Sequence, residues 1–368
     1  MIVRADPARN IEKSPGQSRY ETSPVPPLYR RLSDRLVAQV YSRGLRLYWD
    51  VKLVVELSGE HPELPFAELE VVGTVLDRRP QVAVVDCRSP CAPERLALAH
   101  TVLEYLGECD ADTDSFTRLL RDLGIVAEAP FAGRVKKMDG SAMDADVPAL
   151  ERLMGSIIQG RVSLKAPHLE YRAILSGDRC FFGRVIERID RKAYEARKPG
   201  SRAFFHPGVM MPRLARALVN ISLVRPGQHL LDPFCGTGGI VLEAALVGAV
   251  GIGSDVDPCM VSGSRRNVPS ANLVCADTTC LPFADASIDA VATDLPYGQS
   301  VSIIARSLDG LYAGALQEIR RVLVPGGRAV VVTHRDIAGL AAGLMPVRAC
   351  YAQRVHRSLT RRIMVLER

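Results

Sequence analysis

The spacing of apolar residues changes along the chain. Between residues 51 and 188, short apolar runs of strand length are mixed irregularly with amphipathic stretches of helical period, which predicts an α+β region. From residue 203 onward, apolar strands alternate regularly with amphipathic helices, which is typical of a parallel sheet covered on both faces. A basic linker at 189–202 separates the two regions. The predicted fold is therefore an α/β, doubly wound domain at 203–368 that follows an α+β region at 51–188.

Individual elements follow from the same patterns. In the first region, strands are predicted at 51–57, 82–85 and 131–137, a hairpin at 171–175 and 179–185, and helices at 65–76, 94–105, 115–123 and 147–158. In the second region, strands are predicted at 229–231, 250–253, 272–275, 288–293 and 328–332, and helices at 211–223, 239–247, 258–267 and 311–323. An antiparallel hairpin at 348–355 and 361–366 would close the sheet with two further strands.

The first 50 residues follow neither pattern. Residues 1–27 are polar and rich in proline, so we expect them to be disordered, and residues 28–43 have the apolar spacing of one short amphipathic helix. No methionine lies between Met1 and Met138. We therefore hypothesise that a shorter product, starting at Val51 from an alternative start codon, is the main native form.

Composition narrows the class of protein. Of the 368 residues, 47% are hydrophobic and 24% are charged, so most of the chain is expected to fold. No apolar run approaches the roughly 18 residues of a membrane span, and the N-terminus lacks the apolar core of a secretory signal, so we expect a cytoplasmic protein. The nine cysteines show neither disulfide nor zinc spacing, so no metal is expected. The net charge of +6 permits an anionic partner without demonstrating one.

A glycine-containing loop, LDPFCGTGG at 231–239, joins the first strand of the second region to its helix. Gly236 and Gly238 allow a tight turn and close approach to a ligand. The loop lacks the dinucleotide fingerprint, and no phosphate-loop motif is present, which disfavours a pyrophosphate ligand.

Acidic residues stand at successive strand ends around this loop. Asp255 is placed to accept the hydroxyls of a ribose, and Asp277 to meet an adenine amine. Asp232 is placed either to bind an ammonium group or to order the glycine loop. Each acid alone is most simply a helix cap or turn residue, but together with Asp294 they favour an adenosyl ligand that carries an amino acid and no phosphate. That ligand is S-adenosyl-L-methionine.

The sequence ATDLPYG at 292–298 follows the fourth strand and predicts a pocket for a planar ring. The Asp294 carboxylate and the Leu295 carbonyl can accept both hydrogens of an exocyclic amine, Pro296 fixes the turn, and Tyr297 can stack on the base. We set aside a surface-turn role for Asp294 because it ends a strand beside the switch point of the sheet. The FFHP sequence at 204–207, which contains His206, either walls this pocket or serves as core and helix cap.

The motifs at 231–239 and 293–298, with 197–207 and the tail at 354–362, resemble the archaeal tRNA guanine-10 N2-dimethyltransferases from about residue 51 to the end. The resemblance implies a Rossmann-like methyltransferase domain, S-adenosyl-L-methionine, and one or two methyl groups on the guanine N2 at tRNA position 10. Its catalytic motif falls on Asp294, Leu295, Pro296 and Tyr297, where Leu295 replaces the more usual proline. The positions assigned to the cofactor are Asp232, Phe234, Gly236, Gly238, Asp255, Asp277 and His206.

Residues 130–188 resemble a THUMP RNA-binding module, a kind of domain understood to grip the acceptor end of tRNA. The candidate RNA contacts are Arg134, Lys136, Lys137, Lys165, Arg184, Arg357 and Arg361, although each alone is more simply a solvated surface charge. Another THUMP-type tRNA or rRNA guanine-N2 methyltransferase, a DNA adenine methyltransferase and a catalytically inactive tRNA-binding protein are the alternatives. We expect a monomer. Related methyltransferases use a small zinc-binding activator subunit, which is a further candidate partner.

Overall fold

The computed structural model describes residues 39–40, 46–48, 50–88, 92–144, 146–297, 307–356 and 359–368. The segment 1–27 lies outside these ranges, as does most of the helix predicted at 28–43. Within that prediction, Gln39–Val40 (β1) is a short strand paired antiparallel with Arg46–Leu47 (β2), so these two residues are not helical. No helix in the described ranges is long and apolar enough to cross a membrane.

A mixed seven-stranded sheet is built from the first region, in the order β4-β5-β3-β6-β9-β8-β7. Its neighbouring strands are antiparallel except β7 and β8, which are parallel. The strands are β3 Val51–Leu57, β4 Thr74–Arg79, β5 Val82–Cys87, β6 Ala99–Asp110, β7 Phe131–Lys137, β8 Leu169–Ser176 and β9 Arg179–Arg188. The helices are α1 Leu64–Glu68, α2 Thr113–Leu123 and α3 Val147–Ile157.

Two helix predictions in this region are wrong. The segment 94–105 has the leucine and alanine spacing of a helix, yet most of it lies in β6, between β3 and β9 in the middle of the sheet. Strand pairing on both sides of β6 outweighs local helix propensity. The helix predicted at 65–76 ends at Glu68 and continues as a 3-10 turn to Val71, because the chain must then approach β5 as strand β4.

The second region forms the other seven-stranded sheet, in the order β12-β11-β10-β13-β14-β16-β15, and the predicted fold class is confirmed. Strands β10 to β14 are parallel to one another, and β16 is antiparallel to both β14 and β15. The strands are β10 His229–Asp232, β11 Val250–Asp255, β12 Asn272–Cys275, β13 Ile288–Asp294, β14 Leu323–Thr333, β15 Val347–His356 and β16 Leu359–Glu367. The helices are α4 Pro212–Ile221, α5 Gly239–Leu246, α6 Pro258–Asn267, α7 Leu308–Val322 and α8 Ala338–Ala342.

The chain order of these strands creates a switch point between β10 and β13. From β10 the chain proceeds outward to β11 and β12, then returns to the other side of β10 as β13. Loops leave the carboxyl ends of these two strands in opposite directions, which opens a crevice where ligands bind in such sheets. The adjacent residues Leu230 and Leu231 show how the sheet is held: each is fully buried, and they belong to separate apolar cores.

A buried polar network connects the first region to α4. The Glu68 carboxylate accepts the backbone N–H groups of Ala97 and Leu98, both at 2.8 Å, and the Asn220 Nδ2 at 2.7 Å. Arg95 Nε donates to Asn220 Oδ1 at 2.8 Å. Burial raises the pKa of Glu68 and lowers that of Arg95 to about 10. Because buried polar groups must be satisfied, this network fixes how α1 and the segment before β6 pack on α4.

Candidate active site

The glycine loop between β10 and α5 leaves room for a ligand. Gly236 and Gly238 have φ angles of +47° and +79°, the left-handed region that favours glycine. A Cβ at Gly236 would meet no atom within 4 Å, whereas one at Gly238 would lie 2.2 Å from the Ser264 Oγ of α6. The loop therefore packs tightly against α6 at one glycine and faces open space at the other.

Asp255 ends β11 beside this open space. Its Oδ2 accepts the Gly236 N–H at 2.9 Å, and its Oδ1 accepts the Asp257 N–H at 3.0 Å. Burial raises the pKa of this carboxyl, while the two backbone donors act in the opposite direction. Each oxygen retains a second lone pair, so the oriented carboxylate can still accept hydroxyl groups.

Asp232 ends β10 and is only 2% exposed. Its Oδ1 accepts the Thr293 Oγ1–H at 2.8 Å and the Phe234 N–H at 3.3 Å. Burial, strengthened by the negative charges of Asp255 and Asp294, raises the pKa of Asp232 to about 7. The prediction that this acid orders the glycine loop agrees with its bond to Phe234, and its raised pKa shows that a nearby cation would stabilise its charge.

Asp277 lies in the exposed loop after β12. Its Oδ1 accepts the N–H and the Oγ1–H of Thr279, both at 2.8 Å, so one oxygen serves a turn. The next residue along the chain, Thr278, donates from its hydroxyl to the Pro233 carbonyl at 2.8 Å. Asp277 is therefore held next to the glycine loop even though part of its carboxylate has a structural role.

The motif after β13 is held by its neighbours. The Leu295 N–H donates to the Val332 carbonyl of β14 at 2.9 Å, and the Tyr312 hydroxyl of α7 donates to the Pro296 carbonyl at 2.6 Å. The Leu295 side chain is 1% exposed and belongs to one of the apolar cores. Leucine at this position is thus accommodated by packing and leaves the backbone course of the motif intact.

The Asp294 carboxylate accepts the Tyr297 hydroxyl at 2.9 Å. Burial raises the pKa of Asp294 to about 6, although the positive charge of Arg361 and the hydrogen bond from Tyr297 both act to lower it. The Tyr297 ring lies 4.8 Å from the His334 ring, centroid to centroid. Its hydroxyl also accepts a hydrogen bond of 3.3 Å from Arg361 Nε. Tyr297 therefore contacts Asp294, His334 and Arg361.

Arg361 and His334 belong to this site in a way that sequence reasoning missed. Arg361 stood among the RNA contacts, yet β16 pairs antiparallel with β14 and brings it to the tip of β13. His334 directly follows Thr333, the last residue of β14. The sequence did contain a signal for His334, because this residue follows the next strand in the series whose ends carry the acids.

The segment 204–207 is tied to the glycine loop. Phe204 N–H donates to the Asn267 Oδ1 of α6 at 2.9 Å, and Asn267 Nδ2 donates to the Thr237 carbonyl at 2.9 Å. Phe205 is 53% exposed, and the His206 Nδ1–H donates to its neighbour Pro207 at 2.9 Å. This arrangement favours the interpretation of the segment as a wall beside the loop over the interpretation as core.

The basic candidates in the first region differ in how free they are. Lys136, Lys137 and Lys165 are exposed. Arg134 donates to the Leu164 carbonyl at 3.3 Å, which places it beside Lys165. Arg184 instead pairs at 2.7 Å with Glu104, its buried cross-strand partner, so its charge is engaged within the sheet. Arg357 lies outside the described residues, and within them no three His, Cys, Asp or Glu side chains are grouped to hold a metal.

The sheet order, the glycine loop and the acids at its strand ends define a methyltransferase domain, and a family model described as RMKL-like, methyltransferase domain matches residues 199–363. The chain is 36% identical to the tRNA (guanine(10)-N2)-dimethyltransferase of Methanothermobacter thermautotrophicus, with 86% of this chain and 100% of that protein covered. The proteins of the same name from Pyrococcus abyssi and Methanocaldococcus jannaschii are 33% and 28% identical, each with 85% of this chain and 98% of the relative covered. The chain belongs to the tRNA (guanine(10)-N2)-dimethyltransferase family.

Gly238→Ala tests whether the loop geometry holds the cofactor. The new methyl group would be strained at φ +79° and would collide with Ser264, so we expect affinity for S-adenosylhomocysteine to fall about tenfold or more by titration calorimetry. Gly326→Ala is the matched control, because Gly326 has φ +76° with no atom near its added Cβ. Equal affinities for the two variants would contradict the assignment.

Proposed function

We propose that this protein transfers methyl groups from S-adenosyl-L-methionine to the N2 amine of guanosine at position 10 of tRNA, producing the mono- and then the dimethylated base. The proposal rests mainly on the partly buried Asp294 carboxylate at the tip of β13. In the sheet, β13 lies next to β10, the strand that ends at Asp232. The position in tRNA and the second methyl group come from the names of the relatives and are part of the proposal.

The residues around the glycine loop fit S-adenosyl-L-methionine, which when bound supplies an electrophilic methyl group. Asp255 would accept the ribose hydroxyls, and the open space at Gly236 allows a ligand to approach the backbone. Asp232 would face the amino-acid ammonium, whose positive charge would offset the burial and the acidic neighbours that raise the pKa of Asp232. Asp277 and Phe234 would contact the adenine. Because the ligand has no phosphate, no phosphate-binding group is required.

Asp294 would act on the target amine. The lone pair of a guanine N2 is drawn into the ring, so the amine is a weak nucleophile until its hydrogens are held. We assign one hydrogen to the ionised Asp294 carboxylate and the other to the Leu295 carbonyl, which orients the nitrogen. Asp294 then takes the proton released by transfer. The Tyr297 hydroxyl now bonded to Asp294 would yield this place to the amine, and its ring would contact the extruded base.

The first region would supply tRNA binding. We propose residues 51–188 as an RNA-binding region that includes a THUMP-like module at about 130–188, joined by 189–202 to the catalytic domain at 203–368. Arg134, Lys136, Lys137 and Lys165 are the proposed phosphate contacts, and Arg184 is reassigned to the sheet because of its pairing with Glu104. A cytoplasmic location follows from a tRNA substrate, while the monomeric state and the activator subunit remain predictions.

Replacing Asp294 tests the activity directly. With labelled methyl donor, the wild type should label guanosine N2 in tRNA and leave DNA unlabelled, and Asp294→Ala should lose at least about 1,000-fold in rate because nothing then holds the amine or accepts its proton. Binding of tRNA should be nearly unchanged. Asp285→Ala, an exposed acid paired with Arg321, is the control. Full activity in Asp294→Ala would refute the mechanism, and tRNA binding by the wild type without transfer would favour the inactive binding protein.

The pH dependence tests the state of Asp294. Because its pKa is raised to about 6, the carboxylate is mostly protonated below that pH, so kcat at saturating methyl donor should rise through about pH 6. Arg361→Gln removes a positive charge that lowers this pKa, so the rise should move to higher pH. Arg362→Gln, whose side chain faces Asp336, should leave it in place. An unmoved profile in Arg361→Gln would show that Asp294 is not the titrating group.

A further inference from the structure

A cavity of about 330 Å³ lies beside the catalytic motif and is not used by the mechanism above. This volume is at the lower end for ligand sites, enough for one nucleotide-sized group. Five separate parts of the chain enclose it: the start of α1 with the loop before it, Leu98 just before β6, the 3-10 segment after β9, the start of α4, and strands β15 and β16. Its lining residues include Glu60, Lys198, Met211, Arg213, Gln353, Arg354, Val355 and Arg361.

The charge of the cavity is positive. Glu60 is already paired with Arg191 and Arg213, and Lys198 is paired with Glu195. The Arg354 side chain makes no hydrogen bond or ion pair with any residue in the described ranges, and Arg361 has no acidic partner there within ion-pair distance. Arg354 thus presents charge with no acidic partner in the described ranges, and Arg361 is offset only by Asp294, beyond ion-pair distance, which suits an anionic ligand.

Two buried polar atoms of the lining residues have no partner among the described residues. They are the Nε of Arg213 and the Oε1 of Gln353. Leaving such a buried group without a hydrogen bond costs about 1–3 kcal/mol, so its partner is expected to come from a ligand. A guanidinium donor beside an amide, which both donates and accepts, matches the polar edge of a nucleobase or a phosphate oxygen.

The cavity also offers an apolar surface. Met211 and Val355 are 45% and 43% exposed, and both line the cavity. Unstacked bases are held by contact of the base face with apolar or aromatic side chains, and the backbone of a single strand is held by cations.

Arg361 connects the cavity to the reacting groups. The same side chain lines the cavity and donates to the Tyr297 hydroxyl, which donates to Asp294. A nucleotide in the cavity is therefore separated from the target pocket by one arginine and one tyrosine. We propose that the cavity binds the nucleotide next to the extruded guanosine in the tRNA chain, with its base against Met211 and Val355 and its phosphate on Arg354 and Arg361. This inference rests on the proposed function.

A cycle between protein and RNA variants tests the inference. Three tRNAs are prepared by ligation: one intact, one with an abasic nucleotide immediately 5′ of the methylated guanosine, and one with it immediately 3′. Loss of the base that occupies the cavity should weaken binding to the wild type about 5-fold or more, because its apolar contact with Met211 and Val355 is lost. In Met211→Ser/Arg354→Ala, intact tRNA should bind similarly weakly, and the same abasic change should then have little further effect.

The control is Leu76→Ser/Arg348→Ala, which removes an apolar side chain and an arginine that are exposed outside the cavity. It should bind all three tRNAs like the wild type. The assignment is overturned if the abasic change weakens binding to the cavity variant as much as it weakens binding to the wild type, or if neither abasic position changes the affinity of the wild type. Methyl transfer by the wild type would still support the proposed function in either case. Absence of both tRNA binding and transfer in the wild type overturns both.

Discussion

The hydrogen bond from the Thr293 hydroxyl to the Asp232 carboxylate, 2.8 Å long and fully buried, joins the two halves of the active site. One partner ends the strand that starts the glycine loop, and the other immediately precedes Asp294. The same carboxylate oxygen accepts the Phe234 N–H, so the course of the loop and the position of the target motif depend on one acid.

The tips of three neighbouring strands carry three carboxylates, Asp255, Asp232 and Asp294. Burial raises the pKa of all three, and for Asp232 the other two charges add to the effect. A site of this kind is electrostatically poised for a cation, because a positive ligand relieves both the desolvation and the mutual repulsion. S-adenosyl-L-methionine carries two positive groups, the sulfonium and the ammonium, and no phosphate that would repel the cluster. The absence of a phosphate-loop motif and the acidic strand tips therefore both favour a cationic ligand without phosphates.

Much of this site follows from local sequence. An acid at the end of an apolar strand can be placed on a sheet edge without knowing the rest of the fold, which is why Asp232, Asp255 and Asp294 were predicted where they lie. Arg361 was not, since its position depends on β16 pairing with β14, a contact between segments far apart in the chain. His334 was missed although it directly follows β14. Strand β6 was predicted as a helix for a related reason, because only its two neighbours in the sheet favour the extended form. Arg184 looked like a free basic residue until the register of β6 and β9 placed Glu104 opposite it.

The most direct test of the account is a crystal structure of the protein with S-adenosylhomocysteine bound, with the position of the sulfur as the quantity measured. We expect the ribose hydroxyls to lie on Asp255 and the sulfur to face Asp294 across the tips of β10 and β13. A nucleoside bound away from Asp255, or a sulfur turned from Asp294 toward the other side of the sheet, would contradict it.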